Sequence, residues 1–173
     1  FAFSPGGRHL ALLAGPSIQI RRLPDGELTE TLNAPAGNWL SWQWEGSRLA
    51  VAGSNQTIQI STAGEYSVPS HSLEVGEPVD RVALQPAGGL VAGSHTHGNT
   101  RLWDAATGRL MLTVSNAHMH QFSRDGKRLA YIAPINGVLN VWIKTIGKND
   151  DHPVSNDSNR GIYNAWWAHN NKH

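Results

Sequence analysis

Nine histidines stand in this chain of 173 residues, and four of them form two His-x-His pairs, His95/His97 and His118/His120. Residues two apart on a strand point to the same side, so each pair could offer two imidazoles to one zinc ion. A zinc site takes a third and usually a fourth ligand, and the chain has no cysteine and no carboxylate beside either pair. The reading is therefore structural: His118/His120 pack on a strand leading into Phe122, and His95/His97 sit in an exposed loop. Gly93-Ser94-His95 is the nearest approach to a nucleophile elbow, but it lacks the Gly-x-Ser-x-Gly spacing and the strand-to-helix context. Gly126-Lys127 and Gly147-Lys148 have no phosphate-loop frame around them. Asp150, Asp151 and Asp157 lie among Asn149 and Asn156, an oxygen-rich stretch without the order of a calcium-binding loop, and read as a solvated hairpin loop. No catalytic residue, cofactor or metal is expected, and the chain is expected not to be an enzyme.

The elements that would position these residues are short strands. Hydrophobic residues make up 39% and charged ones 16%, with 18 Gly, 9 Pro and 7 Trp, and no long segment has helical periodicity. A Gly-, Pro- or Asn-bearing turn recurs after an anchor residue at Phe3, Trp42, Leu84, Phe122 and Trp167, at intervals of 39, 42, 38 and 45 residues. Each of the first four anchors is followed by a short apolar strand and then a third strand, such as Ile18-Gln19-Ile20 or Ile58-Gln59-Ile60. A period near 40 with four strands per unit is the pattern of a β-propeller. The expected fold is all-β, with about four four-stranded blades forming either a partial ring, an open arc, or a small closed ring. The chain opens on Phe1 in mid-strand and reads as a fragment of four units plus the first strand of a fifth.

Residues 90 to 114 carry Gly93-Ser94, Trp103-Asp104 and the turn Ala106-Thr107-Gly108, and in these the chain resembles WD-repeat (WD40) propellers. The resemblance implies three such blades over residues 1–116. It is uneven: Arg21-Arg22 and Ser61-Thr62 replace the Trp-Asp pair, and the Gly-His pair usual before each blade is absent, which leaves that family's hydrogen-bonded tetrad incomplete. Residues 117–173 resemble the amino-terminal, TolB-like propeller of prolyl oligopeptidase-type serine peptidases, through Asn156-Asp157, Arg160-Gly161-Ile162 and Trp167-Ala168. That likeness implies one peptidase-type blade and the first strand of another, with no catalytic domain in the chain. The order is that of a natural fusion, an engineered hybrid or a composite reading frame.

Lys and Arg number 14 against 13 Asp and Glu, a net charge of +1, so nothing points to nucleic acid or an anionic membrane. No apolar run reaches the roughly 18 residues of a span, and no signal sequence opens the chain. The expected compartment is the cytoplasm, with the periplasm as the alternative. Trp39 reads as part of a loop, Asn33 to Trp39, joining two blades. Loops of that kind and those between second and third strands emerge on one face, which would gather Trp39, Asn55, Gln56, His95, His97 and Asn136 into a contact surface. Aromatic residues are over-represented at interface hot spots. The expected role is a non-catalytic scaffold for a protein or peptide, with self-association through open blade edges. The rivals are a substrate-gating accessory domain of a serine peptidase and a hybrid with no ligand.

Overall fold

The computed structural model describes residues 1–34, 37–43, 48–62, 64–95 and 98–168. Sixteen strands fall into four antiparallel sheets, each a simple meander in chain order. Blade 1 holds β1 (Ala2–Phe3), β2 (His9–Ala14), β3 (Ser17–Arg22) and β4 (Leu28–Asn33). Blade 2 holds β5 (Gly37–Trp42), β6 (Arg48–Gly53), β7 (Thr57–Thr62) and β8 (His71–Glu74). Blade 3 holds β9 (Val79–Leu84), β10 (Leu90–His95), β11 (Thr100–Asp104) and β12 (Leu110–Val114). Blade 4 holds β13 (His118–Phe122), β14 (Arg128–Ile135), β15 (Val138–Thr145) and β16 (His152–Pro153). The described residues include no helix, and none is therefore long and apolar enough to cross a membrane.

The first strands pack side by side, β1 on β5, β5 on β9 and β9 on β13, and among the described residues no comparable packing joins β13 to β1. The chain is an open arc of propeller blades, not a small closed ring.

The repeated turn after each anchor is set by one torsion. In three blades the amide of the fourth residue past the anchor donates to a carbonyl three residues back: Gly7 to Ser4, Gly88 to Gln85 and Gly126 to Ser123, at 2.7 to 2.8 Å. All three glycines have φ between +64° and +79°, a region that side chains with a Cβ enter at a cost. The sharp reversal lets the second strand run back along the first.

Apolar cores lie between the blades. Ile18, Ile20 and Leu32 of blade 1 pack with Leu40, Leu49 and Val51 of blade 2. Ala50, Ala52, Ile58 and Ile60 pack with Val79, Val91 and Trp103 of blade 3, and Ala92 and Leu102 pack with Phe122, Leu129 and Tyr131 of blade 4. Successive residues of a strand face opposite ways, so in β6 Leu49 and Val51 serve one neighbour while Ala50 and Ala52 serve the other. Fully burying a Leu or Ile side chain stabilises by about 1.5–3 kcal/mol, and each shared core ties two blades together.

Polar bolts cross the same junctions. The Trp42 indole N–H donates to the Ala2 carbonyl at 3.1 Å, joining blades 1 and 2. The Gln43 amide donates to the Pro86 carbonyl at 2.9 Å and accepts from Arg48, whose guanidinium also reaches the Gly88 carbonyl. Gln85 donates to the Gly126 carbonyl at 2.8 Å. Gln43 and Gln85 hold the position just past the anchor, where blades 1 and 4 have Ser4 and Ser123. Those serines turn inward instead, each accepting an amide of its own blade, from His9 at 3.0 Å and Arg128 at 2.9 Å.

Candidate functional site

Between the innermost strands lies a cleft of about 390 Å³. Its walls include Trp39 from β5, Arg81 from β9, Met119 and Gln121 from β13, Arg124 from the turn after β13, and Trp166 from the segment beyond β16. The Arg81 guanidinium lies 4.6 Å from the centre of the Trp39 ring, a cation–π contact that holds both side chains in place. Trp39 remains 38% exposed and Trp166 72%.

Trp166 is positioned by its neighbour. The Trp167 amide donates to Gln121 Oε1 at 3.1 Å and its indole N–H to the Gln121 carbonyl at 3.0 Å, while the Arg128 guanidinium sits 4.8 Å from the ring centre. This is the contact that Trp42 makes with Ala2, one repeat position for another, so residues 165–168 dock on β13 as β5 docks on β1. They form no strand, which differs from the expectation of a fifth unit opening there as one. Upstream, Asn140 anchors the same segment. Fully buried, it accepts from Ser155 Oγ at 2.8 Å and the Asp157 amide at 2.7 Å, and donates to the Val138 and Asp157 carbonyls.

The residues singled out from the sequence differ in setting and burial. Trp39 is not in a connecting loop: β5 begins at Gly37, and Trp39 pairs with Ala52, because a bulge between Gly37 and Trp39 lets the strand start earlier than its alternation shows. His95 is not an exposed loop residue either. It ends β10, pairs with Val79 past a bulge, and is 3% exposed. Its ring lies edge-on to Trp103 at 5.7 Å, among the described residues neither ring nitrogen has a hydrogen-bond partner, and the Glu77 carboxylate is 4.0 Å away. Burial pushes its pKa down and the Arg101 charge adds to the effect. Asn55 and Gln56 occupy the exposed β6–β7 turn, Gln56 with φ 61°, and Asn136, φ 49°, opens the β14–β15 turn. His97 lies outside the described residues.

The second histidine pair is split by a bulge, with Met119 at φ 43° between its members. His118 is exposed and lies over Gly98, where an added Cβ would come 2.7 Å from the imidazole. His120 is buried, and its Nδ1 lies 2.6 Å from Ser94 Oγ. Ser94 Oγ is 3.1 Å from Thr100 Oγ1, which donates to the Ala117 carbonyl at 3.1 Å. With one proton per hydroxyl, the arrangement that satisfies every member runs from His120 Nδ1–H to Ser94, to Thr100, to Ala117. Burial is the main cause lowering the His120 pKa to about 4, and Arg81 and His95 add to it, so the imidazole is neutral. This Ser–His contact thus bridges blades 3 and 4 inside the core.

The aspartates are more engaged than a solvated loop implies. Asp151 accepts from Lys144 Nζ at 3.0 Å and the Tyr131 hydroxyl at 3.2 Å. Asp157 accepts the Asn159 and Gly161 amides. Among the described residues no group of three or more His, Asp or Glu could hold a metal ion.

Comparison with known proteins places the fold. No family model matches the chain. Over 50 residues, 28% of this chain and 7% of the relative, it is 40% identical to dipeptidyl aminopeptidase BIII of Pseudoxanthomonas mexicana. Among solved structures it is similar to Kuenenia stuttgartiensis hydrazine synthase, with a TM-score of 0.71 at 15% identity over 88% of this chain and 47% of that one. It is also similar to Chaetomium thermophilum Sqt1 bound to the N-terminus of ribosomal protein L10, with a TM-score of 0.63 at 21% identity over 75% of this chain and 39% of that one. The architecture is that of a propeller, and this chain spans less than half the length of each of these proteins.

Proposed function

We propose that the chain is a non-catalytic scaffold whose blades hold the central cleft open to a protein or peptide segment. The observation that carries this reading is the pair of exposed indoles, Trp39 and Trp166, on a cleft whose walls are fixed by shared cores and by the Asn140 and Trp167 contacts. A rigid indole covers a large area at small entropic cost, which is why Trp dominates interface hot spots. The likeness to Sqt1 supports the same class of role, since that propeller was solved with a peptide segment bound. Panning a displayed peptide library on the folded chain should return convergent sequences, and Trp39→Ala or Trp166→Ala should weaken the selected peptides about tenfold, the loss of one hot-spot contact. Convergent peptides indifferent to both substitutions would place binding elsewhere.

A second reading is favoured by the match to the dipeptidyl aminopeptidase: a gating propeller of a serine peptidase, through which short peptides pass unretained. Panning would then yield no convergent sequence. Under either reading the chain alone releases no chromophore from dipeptidyl substrates, and turnover surviving Ser94→Ala would contradict both.

A further inference from the structure

We propose that the cleft is selective for an acidic peptide segment, one that sets a carboxylate against Arg81 and Arg124 and an apolar side chain against Trp39 and Trp166. This rests on the scaffold reading of the same site. Two guanidinium groups line the cleft, and among its described lining residues there is no Asp or Glu. The imidazole in its wall, His120, is buried and neutral and adds no charge of its own. The chain as a whole is almost balanced at +1, whereas the described lining of the cleft has two guanidinium groups and no carboxylate. Arg81 already has its guanidinium held over an indole, so less side-chain freedom remains to be lost when it pairs with a carboxylate. Charge-assisted pairs of this kind are stronger than neutral ones, and a partly enclosed cleft screens them less than open surface does.

An oligonucleotide would offer negative charge and stackable rings as well. Two arginines are too few to follow a phosphate backbone, where binding draws on a groove lined with cations along several nucleotides. The chemistry fits isolated carboxylates flanked by apolar side chains.

The test uses the whole chain and three short labelled peptides that share Leu and Trp at fixed positions and carry, between them, glutamates, glutamines or lysines. Fluorescence anisotropy should show the glutamate peptide binding about tenfold more tightly than the glutamine peptide, with the lysine peptide weakest and the preference shrinking as salt is raised. Arg81→Gln and Arg124→Gln should each erode the preference, whereas Arg109→Gln, on an exposed turn away from the cleft, should not. Equal affinity for the glutamate and glutamine peptides, with both weakened by Trp39→Ala, would overturn the acidic selectivity and leave the scaffold reading standing. Binding of none of the three would overturn both, and an oligothymidylate that displaces the glutamate peptide and outbinds it would assign the cleft to nucleic acid instead.

Discussion

His120 is carried into the fold as a neutral ring, and that choice has a pH signature. Its pKa falls from 6.5 to about 4, chiefly because burial removes the water that would solvate the charged form, with Arg81 and His95 adding repulsion. The unfolded chain therefore takes up this proton at a higher pH than the folded one. The stability this residue supports is complete above pH 6.5 and is lost progressively as pH falls towards 4; the full shift corresponds to on the order of 3 kcal/mol. His120→Gln keeps a donor for Ser94 while removing the titration. Urea unfolding of the two proteins at pH 7 and near pH 4.5 should give a wild-type midpoint that drops more on acidification than the variant's. Parallel curves would mean that His120 is solvated or charged in the native protein. His95, also pushed down by burial and facing Glu77 and Arg101, acts in the same direction and remains in both proteins, so only the difference between the curves reports on His120.

At the level of elements, the turn after each anchor was legible from its glycines, but what each turn is bolted to was not. Gly7 and Gly88 hold the same repeat position at φ 64° and 79°. Around Gly7 there is open space, whereas a Cβ on Gly88 would run into the Arg48 guanidinium and the Gln43 amide. Gly7→Ala should therefore cost only the left-handed penalty, about 1–2 kcal/mol. Gly88→Ala should cost that and roughly 1–2 kcal/mol more, because Arg48 and Gln43 must give up hydrogen bonds to the Gly88 and Pro86 carbonyls. Denaturant unfolding of each variant, repeated with Arg48→Met, checks the origin of the excess: it should shrink in the Arg48→Met background, and an excess that persists there unchanged would assign the cost to the backbone. Nothing in the sequence distinguishes these two glycines, since Arg48 comes from the neighbouring blade. The same limit applies to Asn140, which reads as a polar residue in a strand until the chain folds back and Ser155 and Asp157 reach it. Trp39 and His95 lie in strands and not in loops for a related reason: bulges at Gly37/Trp39 and Ser94/His95 extend each strand by a residue or two past the point where alternation stops.

For the whole molecule, repeat spacing was enough to reveal the propeller, because every unit had to bring its own anchor, turn and apolar strands. Closure is different, since it depends on what meets the two outermost faces. Each core is shared by two blades, so among the described residues the outer face of blade 1 has no neighbour. Leu84 and Phe122, anchors of blades 3 and 4, are 4% and 6% exposed, while Phe3, the anchor of blade 1, is 57% exposed and stacks edge-on with Phe1 at 5.8 Å. We propose that a second copy of this chain covers that face, since it offers repeat-equivalent surfaces in a head-to-tail contact, a geometry that need not close. Sedimentation velocity over a wide concentration range should show the average mass rising, and Phe3→Glu should hold the protein monomeric by placing a charge on the contact. A mass that stays monomeric throughout would mean that two aromatic rings on an open blade face are too small a patch to drive assembly. Association unaffected by Phe3→Glu would move the contact to another edge, such as the outer strands where Leu28, Leu110 and Met111 are exposed.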